Sequence, residues 1–360
     1  MKKRIGILTS GGDCPGLNAT IRGVAKACYE MLGEDNVQMV GISNGYYGLI
    51  NNMARDMQPS EFSGILTLGG TILGTKRQPF KMMTVIEEDN VDKVKSMKET
   101  YKKQKLDVLL TLGGNGTHKT SKLLADNGLN VIGLPKTIDN DIYGTDVTFG
   151  FHSAVDTATD ALDKLHSTAT SHSRIMVCEI MGNKAGWLTL YSGVAGGADV
   201  ILIPEIPYDI NKVCDALVKR SDKGKNFSIV AVAEGCYDIE EAKLKKKERA
   251  KKRSELGITT ATNRIASQIQ QLTGIETRTC VPGHILRGGS PSAYDRVLAT
   301  KFGVHAAQLI RDERYGRTVA MINNKISSNS LEDIAGLTKF VSPNDELIIT
   351  AKDLGIKFGD

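Results

Sequence analysis

Eight short apolar runs recur along the chain, and segments with the spacing of amphipathic helices lie between them. The runs are RIGILT (4–9), VQMVGI (37–42), DVLLTL (107–112), NVIGLP (130–135), RIMVCEI (174–180), VILIP (200–204), FSIVAVA (227–233) and TRTCV (277–281). The helical segments include LNATIRGVAKACYEML, FHSAVDTATDALDKLH, NKVCDALVKR and RIASQIQQL. Continuously apolar strands that alternate with helices are typical of parallel sheets covered on both faces. The sequence therefore predicts an α/β fold with mostly parallel sheets, in which ligands gather at the carboxyl ends of the strands.

The length and composition fit a globular class. With 360 residues, 41% of them hydrophobic, the chain can bury a large core and is long enough for two domains. No apolar run approaches the roughly 18 residues that a membrane-spanning helix needs. The N-terminus MKKRIGILTSGGD turns polar too early for a signal peptide. These features predict a cytoplasmic protein without a membrane partner.

Cysteine and charge patterns argue against two other classes of protein. The six cysteines are spread out without a CxxC pair, which favours reduced, mostly buried thiols over disulfides or a zinc site. The net charge of +5 is inflated by the run from Lys243 to Arg253. That run could touch nucleic acid, but it has no interleaved aromatic residues and follows a helical pattern. We interpret it as a solvated helix face and expect no nucleic-acid partner.

Glycine-rich loops follow two of the predicted strands and lead into helices. They are TSGGD (9–13) and GGNGT (113–117). Glycine lets backbone N–H groups approach a phosphate, and a following helix N-terminus adds a favourable dipole. Tight strand-to-helix turns also need glycine for geometry alone, and neither loop has P-loop spacing. A third stretch, GGTILGTKR (69–77), ends in Lys76 and Arg77, which could face a triphosphate or be solvated.

The stretch GLPKTIDNDI (133–142) places charged and amide side chains directly after an apolar strand. In an extended loop Asp139 and Asp141 could face one crevice, one near a reacting hydroxyl and the other near a metal. An Asx turn or a helix N-cap would explain the same residues.

Arginines cluster in a second part of the chain. The segment GHILRGGSPSAYDR (283–296) contains His284, Arg287 and Arg296 around glycines, and fork-like arginines with a histidine suit a phosphate monoester. Arg174 opens one apolar strand and Arg278 stands at the start of another. These two could be crevice residues or surface charges. The sum of candidate anion contacts favours phosphate chemistry.

These stretches together resemble the 6-phosphofructokinase family over about residues 3–325, in order and in content. The resemblance implies two Rossmann-like three-layer domains with the active site in the cleft between them. It implies a donor-binding domain of residues 1–138 plus about 255–305 and a sugar-phosphate domain of 139–254 plus about 306–360. The implied reaction is Mg²⁺-assisted phosphoryl transfer from ATP to the 1-hydroxyl of fructose 6-phosphate in glycolysis. A homotetramer or homodimer is also implied.

The resemblance assigns roles residue by residue. Asp139 is the implied base for the sugar hydroxyl, Thr137 assists, and Asp141 with Asn115 holds Mg²⁺. The implied donor contacts are Gly12, Arg77, Gly113, Gly114, Asn115, Gly116, Thr117 and Lys136. The implied sugar contacts are Met181, Gly182 and Glu234, and the implied 6-phosphate cradle is Arg174, Arg278, His284 and Arg287. In the family two of these arginines come from a neighbouring subunit.

Departures from the family pattern leave alternatives open. Asn115 stands where many members have a metal-binding aspartate, and Asn183 stands where an arginine is usual, with Lys184 beside it. A non-catalytic regulatory subunit is therefore one alternative. Lys136 occurs both in pyrophosphate-using members and in an ATP-using branch, which leaves a pyrophosphate-dependent enzyme open. Gly116 favours ATP because a side chain there would crowd the nucleotide. Nicotinamide-nucleotide and lipid kinases share the glycine loop but lack the TIDND and GHILRGG segments.

Overall fold

The computed structural model describes residues 2–87, 90–255 and 260–360. The strands within these ranges are β1 (Lys3–Thr9), β2 (Val37–Ile42), β3 (Ala54–Asp56), β4 (Val108–Gly113), β5 (Val131–Pro135), β6 (Ile175–Ile180), β7 (Val200–Leu202), β8 (Ser228–Ala233), β9 (Thr277–Cys280), β10 (Arg317–Ile322) and β11 (Lys325–Ser330). All eight predicted strands are confirmed. The sequence analysis missed β3, β10 and β11.

Helices separate most of the strands, as the alternation in the sequence predicts. They are α1 (Leu17–Leu32), α2 (Tyr46–Ile50), α3 (Lys93–Lys103), α4 (Asn115–Asp126), α5 (Phe151–His172), α6 (Trp187–Ala195), α7 (Ile210–Asp222), α8 (Ile239–Ala242), α9 (Lys246–Glu255), α10 (Ala261–Thr273), α11 (Ala293–Arg311), α12 (Leu331–Ile334) and α13 (Glu346–Asp353). No helix in the described ranges is both long enough and apolar enough to cross a membrane.

The chain forms two compact units, each with its own sheet. The first unit consists of Met1–Ser153 and Arg287–Lys339, and the second of Ala154–Leu286 and Phe340–Asp360. The first sheet has the order β11-β10-β5-β4-β1-β2-β3. Its neighbours run parallel except for the outermost pairs, β10 with β11 and β2 with β3. The second sheet has the order β7-β8-β6-β9 and is parallel throughout. The predicted α/β fold with mostly parallel sheets is confirmed.

The core of each sheet lies on its central strands. Every residue of β4 and β5 is buried in the first sheet, as is every residue of β6 and β8 in the second. In the second unit α7 and α10 cover one face, and their residues Leu217 and Ile265 belong to the same core cluster as Val230 of β8. These strands are buried on both faces, so polar and apolar residues do not alternate along their sequences.

The boundaries of the two units differ from those expected. Residues 306–339 belong to the first unit because β10 pairs with β5, with Arg317 opposite Ile132, and β11 pairs with β10. Residues 260–286 belong to the second unit because β9 pairs with β6. The predicted boundary near residue 255 adjoins residues 256–259, which lie outside the described residues. Which unit binds the donor and which the sugar stays a prediction.

The basic run from Lys243 to Arg253 is only partly the solvated face that its charge suggested. Lys251 is 79% exposed in its side chain, whereas Arg253 is 20% exposed and donates to Glu241 at 2.7 Å. The Arg249 guanidinium lies 3.6 Å from the centre of the Tyr237 ring. The arginines of the run therefore pack onto other residues of the second unit, while its exposed lysines meet solvent.

The expectation of reduced, mostly buried cysteines is confirmed. None of the six is in a disulfide, and all but the half-buried Cys280 are buried.

Helices α1 and α11 approach each other through two glycines. A Cβ on Gly23 would lie 3.1 Å from the Thr300 carbonyl oxygen. A Cβ on Gly303 would lie 2.7 Å from the Val24 nitrogen and 2.8 Å from the Thr20 carbonyl oxygen. Backbone atoms at this distance cannot move aside by a rotamer change, so Gly303 sets how closely the two helices pack.

A buried histidine links α4 to β10 in the same unit. His118 is fully buried, with Nδ1 3.0 Å from the Gly114 carbonyl oxygen and Nε2 2.8 Å from Thr318 Oγ1. A carbonyl oxygen can only accept, so Nδ1–H donates to Gly114 and Nε2 accepts from Thr318. Burial is the main cause that lowers the pKa of His118 to about 4, and the nearby Lys136 charge lowers it further. The ring is therefore neutral at physiological pH.

Substituting Gly303 by alanine should destabilise the first unit. Alanine gains about 1 kcal/mol of helix propensity over glycine, but overpacking costs about 1–3 kcal/mol. Because the opposing atoms are backbone, we expect a net loss of about 1–2 kcal/mol in the free energy of unfolding by urea denaturation. Lys301→Ala, at an exposed position of the same helix, is the control and should change stability by under about 0.5 kcal/mol. A neutral Gly303→Ala would contradict the close contact.

Protonation of His118 should weaken the fold as the pH falls. Its pKa is about 4 in the folded chain against an ordinary value of 6.5. Between these values the unfolded chain binds a proton that the folded chain does not. The stability is therefore fully present above about pH 6.5 and is lost toward pH 4, by on the order of 3 kcal/mol.

The free energy of unfolding, measured from pH 7 to pH 4 in the wild type and in His118→Gln, checks this. In the variant, the free energy of unfolding should not show the decrease that protonation of His118 causes in the wild type between pH 7 and pH 4. His172→Gln, which replaces an exposed histidine, should keep the wild-type pH dependence. Equal slopes for the wild type and His118→Gln would argue against the neutral buried ring.

Candidate active site

Three loops of the first unit begin at neighbouring strand ends. Strands β5, β4 and β1 are adjacent, so the loops after them start side by side. The hydrogen bonding between strands continues into the loops: the Ser10 N–H donates to Leu112 O at 2.9 Å, and the Lys136 N–H donates to Gly113 O at 3.1 Å. The GGD, GGNGT and KTIDND segments therefore meet at one edge of the sheet, where ligands of parallel α/β sheets bind.

A buried lysine joins the first and the third of these loops. Lys136 is 4% exposed, and its Nζ donates a hydrogen bond to the Gly12 carbonyl oxygen. Burial lowers the pKa of Lys136, and the Arg287 charge lowers it as well, whereas the carboxylates of Asp139 and Asp13 raise it. An ammonium group held away from water beside a second cation is poised to bind an anion.

Arg287 lies against the first glycine loop. A Cβ on Gly12 would lie 2.7 Å from Nη1 and 2.8 Å from Cζ of Arg287. Only glycine therefore lets the guanidinium cover this turn. We call Gly12, Lys136 and Arg287 the cationic cluster. The sequence assigned Arg287 to the sugar-phosphate cradle, but its guanidinium contacts a predicted donor residue.

The second glycine loop leads directly into α4. A Cβ on Gly113 would lie 2.1 Å from Thr117 Oγ1, so the tight turn requires glycine. Gly116 is exposed, and a Cβ there would meet no atom within 4 Å. The first N–H groups of a helix have no partner within the helix and favour negative charge. The first turn of α4 thus offers donors and open space at Gly116.

Asn115 and Asp141 place oxygen ligands together beside that turn. The Asn115 Nδ2 group donates to Asp141 Oδ2 at 3.0 Å and to the Asp141 carbonyl oxygen at 3.1 Å. Asn115 Oδ1 is buried and has no hydrogen-bond partner in the structure. Mg²⁺ typically binds one or two protein oxygens and completes its shell with water and substrate phosphates. An orphaned amide oxygen next to a carboxylate fits that ion. No cluster of three or more metal-binding side chains occurs among the residues that the structure describes.

The turn that carries Asp139 is fixed by neighbouring polar groups. The Asp139 N–H donates to Thr137 Oγ1 at 3.1 Å. Asn140 has a left-handed backbone with φ 51°, and its Oδ1 accepts the Thr148 N–H at 3.1 Å. Thr148 Oγ1 donates to the Thr137 carbonyl oxygen at 2.7 Å. The turn therefore has a defined shape in which Asp139 is half-buried.

The loop with the paired cations is tied to the first glycine loop. Thr75 Oγ1 donates to the Gly11 carbonyl oxygen at 2.7 Å. Lys76 does not point to a free site: its Nζ lies 3.6 Å from the centre of the Tyr47 ring. Arg77 is exposed. Of the two cations, Arg77 remains the candidate for contact with a donor phosphate.

The predicted sugar contacts come together in the second unit. Met181 and Gly182 follow β6, and Glu234 follows the neighbouring β8. The Glu234 N–H donates to Ile180 O at 2.9 Å, and the Gly235 N–H donates to Gly182 O at 3.2 Å. Asn183, Lys184 and Glu234 line one pocket. These residues again mark the carboxyl ends of parallel strands.

A carboxylate that the sequence analysis missed holds two of the predicted phosphate-binding arginines. Arg174 Nε donates to Glu276 Oε2 at 2.7 Å, and Arg278 donates to Glu276 Oε1. The hydrogen bond from Arg174 lowers the pKa of Glu276 below its usual range. A phosphate that binds these arginines must compete with Glu276. Its place two residues before Arg278 was the available signal, because side chains two apart on a strand share a face.

The arginine-rich segment 283–296 is divided between the two units. His284 is exposed and lies in the second unit, whereas Arg287 belongs to the first. Arg296 donates to the Pro291 carbonyl oxygen at 2.8 Å and to Ser290 Oγ at 3.1 Å, so it supports its own loop. Within the second unit, the structure brings Arg174 and Arg278 together.

Comparison with known proteins identifies the family of this chain. The family model for phosphofructokinase matches residues 4–310. An ATP-dependent 6-phosphofructokinase of Spirochaeta thermophila is 54% identical over 99% of this chain and 98% of its own length. ATP-dependent 6-phosphofructokinase 3 of Bacteroides thetaiotaomicron is 48% identical over 99% of this chain and 100% of its own length.

A solved structure shows the same fold. Pichia pastoris phosphofructokinase in the T-state superposes with a TM-score of 0.80 at 30% identity over 93% of this chain. This chain spans 35% of the length of that yeast chain. The family match over most of the sequence and the near full-length relatives lead to one conclusion: the chain belongs to the phosphofructokinase family.

Proposed function

We propose that this chain transfers the γ-phosphoryl group of ATP to the 1-hydroxyl of fructose 6-phosphate, which yields fructose 1,6-bisphosphate and ADP. The observation that carries the proposal is the meeting of the cationic cluster, the open α4 turn and the Asp139 turn at one edge of the first sheet. The names of the relatives that are 54% and 48% identical support the same reaction. A glycolytic role follows from this chemistry.

The donor phosphates are proposed to bind the glycine loops. Backbone N–H groups from Gly113 to Thr117 and at Gly12 would donate to them, with Arg77 and Lys136 supplying positive charge. The open space at Gly116 supports a nucleotide over pyrophosphate. ATP carries an α-phosphate and adenosine that pyrophosphate lacks, and these groups need room at this turn. Lys136 is compatible with either donor.

Asp139 is proposed to orient the acceptor hydroxyl and to take its proton. In a loose phosphoryl-transfer transition state the hydroxyl becomes acidic late, so an ionised carboxylate is a sufficient base. The charge of Lys136 lies within electrostatic range of Asp139. Thr137, whose hydroxyl accepts the Asp139 N–H, would keep the carboxylate in position. This arrangement favours an enzyme over a non-catalytic subunit.

Asn115 and Asp141 would hold Mg²⁺, supported by the orphaned Asn115 Oδ1. When bound, the ion would neutralise charge on the donor phosphates. An amide in place of a carboxylate leaves one fewer negative charge for the ion, so Asp141 carries most of the electrostatic attraction.

The sugar phosphate is proposed to contact the second unit. Met181, Gly182 and Glu234 would bind the sugar, and Arg174, Arg278 and His284 would bind the 6-phosphate, with Arg287 as the further arginine of that cradle. Glu276 would release Arg174 and Arg278 when the phosphate binds. Because the family takes two such arginines from a neighbouring subunit, we infer a cytoplasmic homodimer or homotetramer, and a monomeric mass by light scattering would contradict this.

Replacing Asp139 by asparagine should abolish most turnover while sparing binding. The substitution removes the proton acceptor but keeps the shape of the side chain, so kcat should fall by roughly 10²–10⁴-fold. The KM for fructose 6-phosphate should change little. Steady-state assays that couple fructose 1,6-bisphosphate or ADP formation to NADH oxidation measure both constants.

The matched control is Asp146→Asn, which replaces an exposed aspartate of the segment that follows the same turn. It should retain turnover close to that of the wild type. A kcat of Asp139→Asn within a few-fold of the wild type would contradict the role of Asp139 as base.

An acid at position 116 should impair the use of ATP without unfolding the protein. Gly116 has open space and no left-handed backbone, so Gly116→Asp is tolerated sterically, and a carboxylate in the first turn of a helix is favourable. Beside the donor phosphates it is repulsive. We expect kcat/KM for ATP to fall by at least about tenfold, or roughly 1.4 kcal/mol, at an unchanged melting temperature.

Gly116→Ala separates charge from size at the same position. The alanine variant should lose less ATP efficiency than Gly116→Asp. Full ATP efficiency in the aspartate variant would place the nucleotide away from this turn.

A further inference from the structure

Two cysteines stand directly opposite each other on neighbouring strands of the second sheet. Cys178 on β6 pairs in register with Cys280 on the edge strand β9. Neighbouring strands lie about 4.8 Å apart, and residues in register point to the same face. Disulfides form across Cα separations of about 4.4–6.8 Å. The backbone therefore holds these two thiols at a distance that a disulfide can span.

The two thiols differ in exposure and in acidity. Cys178 is buried, whereas Cys280 is half-buried at the end of an edge strand. The interaction between the two sulfurs lowers the pKa of Cys280 and raises the pKa of Cys178. The more accessible sulfur is also the one with more thiolate character, as is typical of redox-sensitive cysteines beside a resolving partner.

The remaining cysteines provide an internal reference. Cys14, Cys28 and Cys236 are buried, and burial raises the pKa of each to about 12. Burial also raises the pKa of Cys214. Thiols of this kind are inert toward oxidants.

We propose that Cys280 and Cys178 form a peroxide-oxidisable pair, in which Cys280 reacts and Cys178 resolves. The Cys280 thiolate attacks one oxygen of hydrogen peroxide, the O–O bond breaks, and hydroxide leaves to give a sulfenic acid. The Cys178 sulfur then attacks the Cys280 sulfur, the S–O bond breaks, and the proton of Cys178 leaves with that oxygen as water. In sum, two thiols lose two electrons and two protons, and one peroxide becomes two waters. This inference goes beyond the proposed phosphoryl transfer and does not depend on it.

Peptide mapping of the peroxide-treated full chain tests the pair. Tryptic cleavage after Arg174 and Lys184 gives Ile175–Lys184, and cleavage after Arg278 and Arg287 gives Thr279–Arg287, each with one cysteine. After brief treatment with hydrogen peroxide and blocking of free thiols, we expect a cross-linked species of these peptides, two hydrogen atoms lighter than their sum. Dithiothreitol should restore the separate peptides. Peptides with Cys14, Cys28, Cys214 or Cys236 should stay reduced.

Two variants separate the steps. Cys178→Ala should stop at the sulfenic acid, which dimedone traps on Cys280, and Cys280→Ser should leave Cys178 unoxidised. The proposal is overturned if Cys280 reacts no faster than Cys214 in the wild type. It is equally overturned if Cys280 is oxidised but the cross-linked peptides never form.

The position of the pair gives a consequence for the sugar phosphate, and this consequence alone rests on the proposed function. Arg278 lies on β9 two residues before Cys280, so cross-linking this strand should raise the KM for fructose 6-phosphate more than that for ATP. Dithiothreitol should reverse the rise, and Cys280→Ser should not show it. An unchanged KM in protein whose cross-link is verified by mass would contradict the consequence and leave the thiol chemistry intact.

Discussion

The hydrogen bond from the buried Lys136 ammonium to the Gly12 carbonyl oxygen organises the candidate active site. It joins the loop after β5 to the loop after β1. The Arg287 guanidinium covers the same glycine. Positive charge is thereby concentrated where backbone N–H groups are also available. Such a site is costly to maintain without an anion, because burial disfavours the charged form of Lys136. The proposed binding of donor phosphates would account for why these groups are held together.

The parallel sheet explains how residues far apart in the sequence reach one place. Gly12, Gly116 and Lys136 each follow a different strand, and the strands are neighbours in the order β1-β4-β5. Every crossover returns the chain through a helix, so all three strand ends face the same edge. In the second unit, Gly182 and Glu234 likewise follow the neighbouring parallel strands β6 and β8. Site residues therefore come from loops, while the strands act as a scaffold.

Much of the fold was predictable because parallel strands that are buried on both faces have continuous apolar sequences. The eight predicted strands, most of them apolar runs, are all present, and they include every described strand with a neighbour on both sides except β10. Of the three missed strands, β10 is buried over residues 318–321, whereas β3 and β11 are only partly buried. β3 is three residues with two exposed side chains, and β11 is the polar segment KISSNS at a sheet edge. The predicted boundaries between the units differ from the observed ones. The observed boundaries depend on the pairing of β10 with β5, and no local sequence pattern predicts that pairing.

The types of site residue were predictable, but their partners were not. Glycine loops, the paired aspartates and the arginines were all visible in the sequence. Three features depend on tertiary packing: the contact of Arg287 with Gly12, the hydrogen bond from Arg174 to Glu276, and the burial of the neutral His118 ring. Residue spacing carries no information about a contact between positions 12 and 287. The resemblance to a family supplied roles for single residues and missed Glu276, which accepts hydrogen bonds from two of them, Arg174 and Arg278.

The central claim is that the open turn at Gly116 and the cationic cluster bind the phosphates of a nucleotide. The most direct measurement is the initial rate of fructose 6-phosphate phosphorylation by the purified protein with Mg²⁺, with ATP or with pyrophosphate as donor at matched concentrations. The account predicts rapid formation of fructose 1,6-bisphosphate with ATP and little with pyrophosphate. A clear preference for pyrophosphate would contradict it.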